Sequence, residues 1–253
     1  MCGIAGFCLS PNEKLNARKV SMCLLSQIQS RGTDATGAAW VVPSSKKTSK
    51  KSRIVVSKAP VPARLFDPYL VNGNGMSMPV ATRRAVLHTR YATQGDPLNN
   101  NNNHPIVSGR IVGVHNGHLS NDDAMFAHFG DRASRIGEVD SEAAFALLDL
   151  TRYEPEQVLR SLQGRAALAW FNAKDKRDLH LARVSGSPLA IGGTEKGSFF
   201  FASTLPLLVK GCENAGVHLS WVEDVAEGTY LRVRNGEIVE LEEIGKSKKG
   251  LVA

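Results

Sequence analysis

The residue at position 2 is a cysteine, in the opening run Met1-Cys2-Gly3-Ile4-Ala5-Gly6-Phe7. Removal of Met1 would place a thiol and a free α-amine on one residue. Such a nucleophile carries its own base and needs no histidine partner. An α-amine has an unperturbed pKa of about 7.7–8.0, so part of it is neutral and able to take a proton near pH 7. The other cysteines, Cys8, Cys23 and Cys212, sit among apolar residues and read as inert core thiols. His115 and His118, with His104 nearby, have a spacing that suits a metal. No Cys or carboxylate pattern completes a ligand set, so they read as structural, and neither a metal nor a cofactor is expected.

Further along lie Arg31-Gly32-Thr33-Asp34-Ala35-Thr36-Gly37, His88-Thr89-Arg90-Tyr91-Ala92-Thr93-Gln94-Gly95, His115-Asn116-Gly117 and Val139-Asp140-Ser141-Glu142. Taken in this order after an N-terminal Cys-Gly-Ile, they resemble the class II glutamine amidotransferase (glutaminase) domain. The chain looks most like the version found in glucosamine-6-phosphate synthase, and amidophosphoribosyltransferase is similar. Gly164 to Trp170, Ser185-Gly186-Ser187-Pro188-Leu189 and Phe200 to Ser203 extend the resemblance over nearly the whole chain.

The resemblance implies an α+β, Ntn-hydrolase fold: a four-layer αββα sandwich of two antiparallel sheets. It implies hydrolysis of L-glutamine through a Cys2 thioester, with ammonia passed to an acceptor. Matched residue by residue, the Asn116 side-chain amide and the Gly117 backbone N–H would form the oxyanion hole. Arg90 suits the α-carboxylate, because a guanidinium can grip a carboxylate through two parallel N–H bonds. Thr93 would add a contact to that carboxylate, and Asp140, an acceptor-only anion, suits the α-ammonium. Without the resemblance, plainer readings stand beside these. Arg90 would be a surface ion pair, Asp140 or Ser141 a helix cap, and Asn116-Gly117 a hairpin turn. Tyr91 and Gln94 stand where the synthase version has Trp and His, which sets the substrate-closing loop apart.

These residues need a scaffold. A strand is expected over Gly3–Leu9, a helix over Ala17–Ser30 ending at Gly32, and a hairpin of Ala38–Val42 with Ile54–Ser57. Arg31 and Asp34 are expected to shape the turn between that helix and the hairpin. Residues 67–80 read as irregular, Ala85–Thr89 as a strand, and Asp96–Pro105 as a loop whose Asn99–Asn103 run is merely tolerant. Ile111–His115 reads as a strand that stops at Asn116-Gly117. Ser141–Leu150 and Glu156–Leu162 read as helices, and strands crowd the chain from Ala166 onward, with a hairpin turn at 234–237. Trp40, Trp170 and Trp221 read as core or sheet aromatics. No linker splits the 253 residues, so a single domain is expected over 1–253.

Hydrophobic residues make up 42% of the chain and charged residues 22%, ordinary values for a globular protein. The net charge of +7 is concentrated in Lys46, Lys47, Lys50, Lys51, Arg53 and Lys58 and in Lys246, Lys248 and Lys249. Without interleaved aromatics these clusters do not suit nucleic acid, and they read as a solvated loop near 44–53 and a mobile tail near 245–253. No signal peptide is visible, and no apolar run nears the ~18 residues of a membrane span. Unpaired cysteines fit a reducing, cytoplasmic setting. The synthase and transferase just named continue into an acceptor domain where this chain stops. The expectation is a stand-alone glutaminase supplying ammonia to a separate synthase partner. Two rivals are a self-sufficient N-terminal-Cys amidase acting on a γ-glutamyl or other amide, and a catalytically silent regulatory relative.

Overall fold

The first strand, β1 (Gly3–Cys8), is buried along its whole length, which is why it shows no alternation of polar and apolar residues. Ala5 and Phe7 face a helical layer, while Ile4 and Cys8 face a second sheet. A computed structural model describes residues 1–42, 52–67, 77–151 and 154–245. In it β1 is the middle of a seven-stranded sheet. Its neighbours are β4 (Arg84–Arg90) and β10 (Phe199–Ala202), and beyond them lie β2 (Ala35–Val42), β3 (Arg53–Ala59), β9 (Ala190–Gly193) and β11 (Trp221–Asp224). The second sheet runs in the order β13 (Glu237–Glu243), β12 (Thr229–Arg234), β8 (Asp178–Ser185), β7 (Gly164–Asn172), β6 (Ile111–Leu119), β5 (Ile106–Ser108). Neighbouring strands pair antiparallel in both sheets.

Each layer is held by its own apolar cluster. The helices α1 (Ala17–Ile28) and α5 (Leu205–Ala215) cover the first sheet, with Leu24, Leu25 and Leu208 packed on Phe7, Trp40 and Phe200. The helices α2 (Asp122–Phe129), α3 (Ser141–Leu150) and the single turn α4 (Pro155–Val158) lie along the second sheet. Phe129, Phe145 and Leu148 there join Leu168, Trp170 and Tyr230 in one cluster. Strand β7 shows the logic of a central strand. Ala166, Leu168 and Trp170 belong to the helix-side cluster, and Ala167, Ala169 and Phe171 to the cluster between the sheets. The result is the expected αββα sandwich.

Several elements differ from the sequence expectations. Asn116-Gly117 is no turn: β6 runs through it to Leu119, with Asn116 paired to Ala167 and Gly117 to Ala166. The partner strand β7 continues beside it, and that pairing overrides the local turn signal. The Asn run is no slack loop either. Asn100–Asn102 form a 3-10 turn, and Asn102 and Asn103 are fully buried. Helix α5 went unseen because Pro206 and Gly211 dilute its pattern, although Leu208, Cys212 and Ala215 carry helical spacing. Strand β11 is exposed at every position and offers no periodicity to read. Lys58 is not part of a solvated patch: its ammonium donates to the carbonyls of Asn103 at 2.7 Å and Pro105 at 3.2 Å. Burial lowers its pKa to about 8. Lys46, Lys47, Lys50, Lys51 and the tail beyond Gly245 lie outside the described residues, as does most of the irregular segment after Asp67.

Candidate active site

Pairing of Gly3 with Thr89 sets Cys2 beside the C-terminal end of β4, where Arg90 and Tyr91 emerge. The half-buried Cys2 Sγ lies 3.7 Å from the Tyr91 carbonyl. The backbone here is pinned from two sides. Arg31 Nε donates to the Cys2 carbonyl at 2.8 Å, and Ile4 N donates to Ser203 Oγ at 2.9 Å. Asp34 accepts from Ala92 N at 2.7 Å, tying the start of the next loop. Arg31 and Asp34 therefore do more than shape a turn. Gly32 makes the approach possible, since a Cβ there would sit 2.3 Å from the Arg90 carbonyl carbon.

Strand β6 brings the second sheet to the same place. His88 Nε2 meets the His115 carbonyl at 3.2 Å, joining β4 to β6 directly before Asn116. Burial drives the His88 pKa down to about 3, so the ring is neutral and donates to that carbonyl. Asn116 is buried, and among the described residues neither its Nδ2 nor its Oδ1 has a hydrogen-bond partner. With no protein partner among the described residues, this amide is placed to hydrogen-bond a bound molecule. Gly117 cannot carry a side chain, because a Cβ would lie 1.8 Å from the Arg165 carbonyl oxygen.

Asp140 stands at the cap position of α3, but its side chain does not cap the helix. It accepts from Leu119 N at 2.6 Å instead, and His118 Nδ1 approaches it at 3.5 Å. Arg90 is 3% exposed, which rules out a surface ion pair. Its acceptors are all neutral: Asn103 Oδ1 at 2.9 Å and Gly95 O at 2.9 Å, with the Gln94 carbonyl also on Nη2. Among the described residues no carboxylate bonds it directly, and Asp34, Asp96 and Glu138 act on it only at longer range, so its fork can take an incoming carboxylate.

Five of the six residues singled out in the sequence, Cys2, Arg90, Thr93, Gly117 and Asp140, line one cavity of about 30 Å³. The sixth, Asn116, adjoins Gly117. The cavity has room for water rather than for an amino acid. His104, His115 and Ser141 also line it. His104 is buried against His88, ring centroids 4.2 Å apart, with neither nitrogen hydrogen-bonded among the described residues, and burial holds it neutral. His115 Nδ1 lies 2.8 Å from Ser141 Oγ. Burial pushes the Cys2 thiol pKa up, while a backbone hydrogen bond from Tyr91 and the charges of the N-terminus and Arg90 pull it back. A larger cavity of about 400 Å³ lies around Trp170, His180 and Tyr230, and shares no lining residue with the Cys2 cavity. Among the described residues no group of three or more His, Cys, Asp or Glu is placed to hold a metal.

Comparison with known proteins agrees with this geometry. Residues 88–210 match the family described as glutamine amidotransferase domain. Glutamine–fructose-6-phosphate aminotransferase (isomerizing) of Chlorobaculum tepidum is 30% identical over 234 residues, covering 87% of this chain and 35% of that protein. Its Staphylococcus aureus counterpart is 29% identical over 228 residues, covering 86% and 35%. This chain therefore spans about a third of the length of these relatives. Among solved structures, glutamine phosphoribosylpyrophosphate amidotransferase from B. subtilis superposes with a TM-score of 0.73 at 18% identity, covering 96% of this chain and 49% of that one. The chain carries a class II glutamine amidotransferase domain with the Ntn-hydrolase fold.

Proposed function

We propose that the chain hydrolyses L-glutamine to glutamate and supplies the ammonia to a separate acceptor enzyme. The observation that carries this is the meeting in one cavity of the Cys2 thiol and the buried Arg90 guanidinium, whose bonded acceptors among the described residues are neutral, beside the buried Asn116 amide, which has no protein partner among them. An amide substrate with an amino-acid end supplies what each lacks.

With Met1 removed, the Cys2 α-amine takes the thiol proton, directly or through one water. The thiolate attacks the side-chain carbonyl carbon of glutamine. Negative charge collects on the amide oxygen, held by Asn116 Nδ2 and the Gly117 N–H. The ammonium of Cys2 returns its proton to the leaving nitrogen, the C–N bond breaks, and ammonia departs. A γ-glutamyl thioester remains, and water, losing its proton to the same amine, cleaves it to glutamate and free thiol. Arg90 and Thr93 hold the α-carboxylate, and Asp140 holds the α-ammonium. Arg31 fixes the Cys2 carbonyl while the reacting atoms move.

Purified protein given glutamine should release glutamate and ammonia in equal amounts, and Cys2→Ala should release neither while keeping its fold by circular dichroism. Turnover retained in Cys2→Ala, or faster turnover of an amide lacking the amino-acid end, would overturn the proposal. A partner that raises the rate when titrated in would identify the acceptor enzyme.

A further inference from the structure

Asn103 has every polar atom committed. Its Nδ2 donates to the Pro97 carbonyl at 2.7 Å and to Asn100 Oδ1 at 2.9 Å. Its backbone carbonyl accepts from Lys58 Nζ at 2.7 Å. Its Oδ1 accepts from Arg90 Nη1 at 2.9 Å. With Nδ2 facing two acceptors, the amide cannot flip without losing all three side-chain bonds, so the network itself fixes Oδ1 toward Arg90. The residue is fully buried.

Arg90 is held differently at its two ends. Nη2 donates to the carbonyls of Gln94 and Gly95, both on the loop over the cavity. Nη1 donates to Asn103, which is tied back to β3 through Lys58. A carboxylate taking the fork made by Nε and Nη2 must displace a loop carbonyl, while Nη1 can stay on Asn103. The small cavity volume also requires this loop to give way before an amino acid enters.

We propose that Asn103 is a positioning residue that sets specificity: it fixes the Arg90 guanidinium while the Gln94–Gly95 carbonyls are exchanged for the α-carboxylate of the substrate. This rests on Arg90 being the carboxylate-binding residue of the glutaminase reading. Asn103 touches no reacting atom, so its loss should be felt in recognition of the amino-acid end and not at the thiol.

The test compares Cys2 alkylation by iodoacetamide, which has no amino-acid end, with alkylation by a chloroketone analogue of glutamine. In the wild type the analogue should react far faster at equal concentration. In Asn103→Ala the advantage should shrink about tenfold or more, the worth of a hydrogen bond to a charged group. Iodoacetamide reactivity should stay within about twofold, and KM for glutamine should rise with kcat nearly unchanged. Should Asn103→Ala fail to fold, Asn103→Asp serves instead. It keeps the size, presents a rival carboxylate to Arg90, and should also lose selectivity. Equal slowing with both reagents, or unchanged selectivity in a folded variant, would overturn the proposal alone. A wild type in which the analogue has no advantage over iodoacetamide would overturn the glutamine reading, and this proposal with it.

Discussion

Asn116 and Asp140 are both buried and polar, but they divide the work differently. Asn116 has no protein partner among the described residues, and as an oxyanion donor its contribution would grow toward the transition state. Asn116→Ala is expected to lower kcat about 100- to 1000-fold with little change in KM, measured by glutamate release. Asp140 is committed in the resting protein through Leu119 N and is suited to the substrate ammonium. Asp140→Asn should raise KM for glutamine more than it lowers kcat. The opposite pattern in the two variants would mean that their roles are exchanged. Cys2, Arg90, Thr93, Gly117 and Asp140 were picked out through motifs that resemble the family, and the structure brings them to one cavity; taken alone, Arg90, Gly117 and Asp140 favoured plainer readings. Arg31 and Asn103 were not picked out as site residues. Their parts depend on contacts with Cys2 and Arg90, and Asn103 was masked by a run of identical neighbours.

At the level of elements, the site depends on how closely β4 passes the end of the 3-10 turn after α1. Gly32 lies against the Arg90 backbone with no space for a methyl group. Gly32→Ala should destabilise the protein by about 1–3 kcal/mol in urea titration. It should also lower glutaminase activity, because the backbone that moves belongs to Arg90. Unchanged stability and turnover would contradict the close packing. Helix α1 and strands β1, β2 and β4 were readable because apolar spacing and Gly32 gave their type. Strand β6 was cut short in the sequence because Asn-Gly is a strong local turn signal, and only pairing with β7 carries the strand through it. Helix α5 was lost to Pro206 and Gly211, since its buried face depends on packing against α1 rather than on local propensity.

For the whole molecule, histidines held neutral by the fold tie stability to pH, among them the buried His88 and the half-buried His180. Burial holds His88 to a pKa of about 3 and His180 to about 4. In the unfolded chain each takes up a proton near pH 6.5. Between those values the unfolded state binds more protons, so stability is full above about pH 6.5 and falls on acidification. Each histidine removes at most ~1.4 kcal/mol per pH unit in this window. The urea midpoint should therefore be lower at pH 5 than at pH 7, and the gap should narrow in His180→Phe. A flat profile would mean that the rings ionise without cost. No helix among the described residues is long and apolar enough to cross a membrane. The sandwich itself was anticipated through the family motifs more than through composition, which is ordinary.

The central claim is that Cys2, freed from Met1, is the nucleophile for glutamine. Cys8 and Cys212 are buried, and burial pushes their thiols up, Cys212 to about 12, so they stay protonated and unreactive. The most direct measurement is intact mass and N-terminal peptide mapping of active protein before and after reaction with a glutamine analogue bearing an electrophilic side chain. The account predicts a chain that starts at Cys2 and a single adduct on that residue. Activity should fall in step with labelling, and Cys8, Cys23 and Cys212 should be unmodified. Met1 retained on fully active protein, or the adduct on one of the other three cysteines, would contradict it.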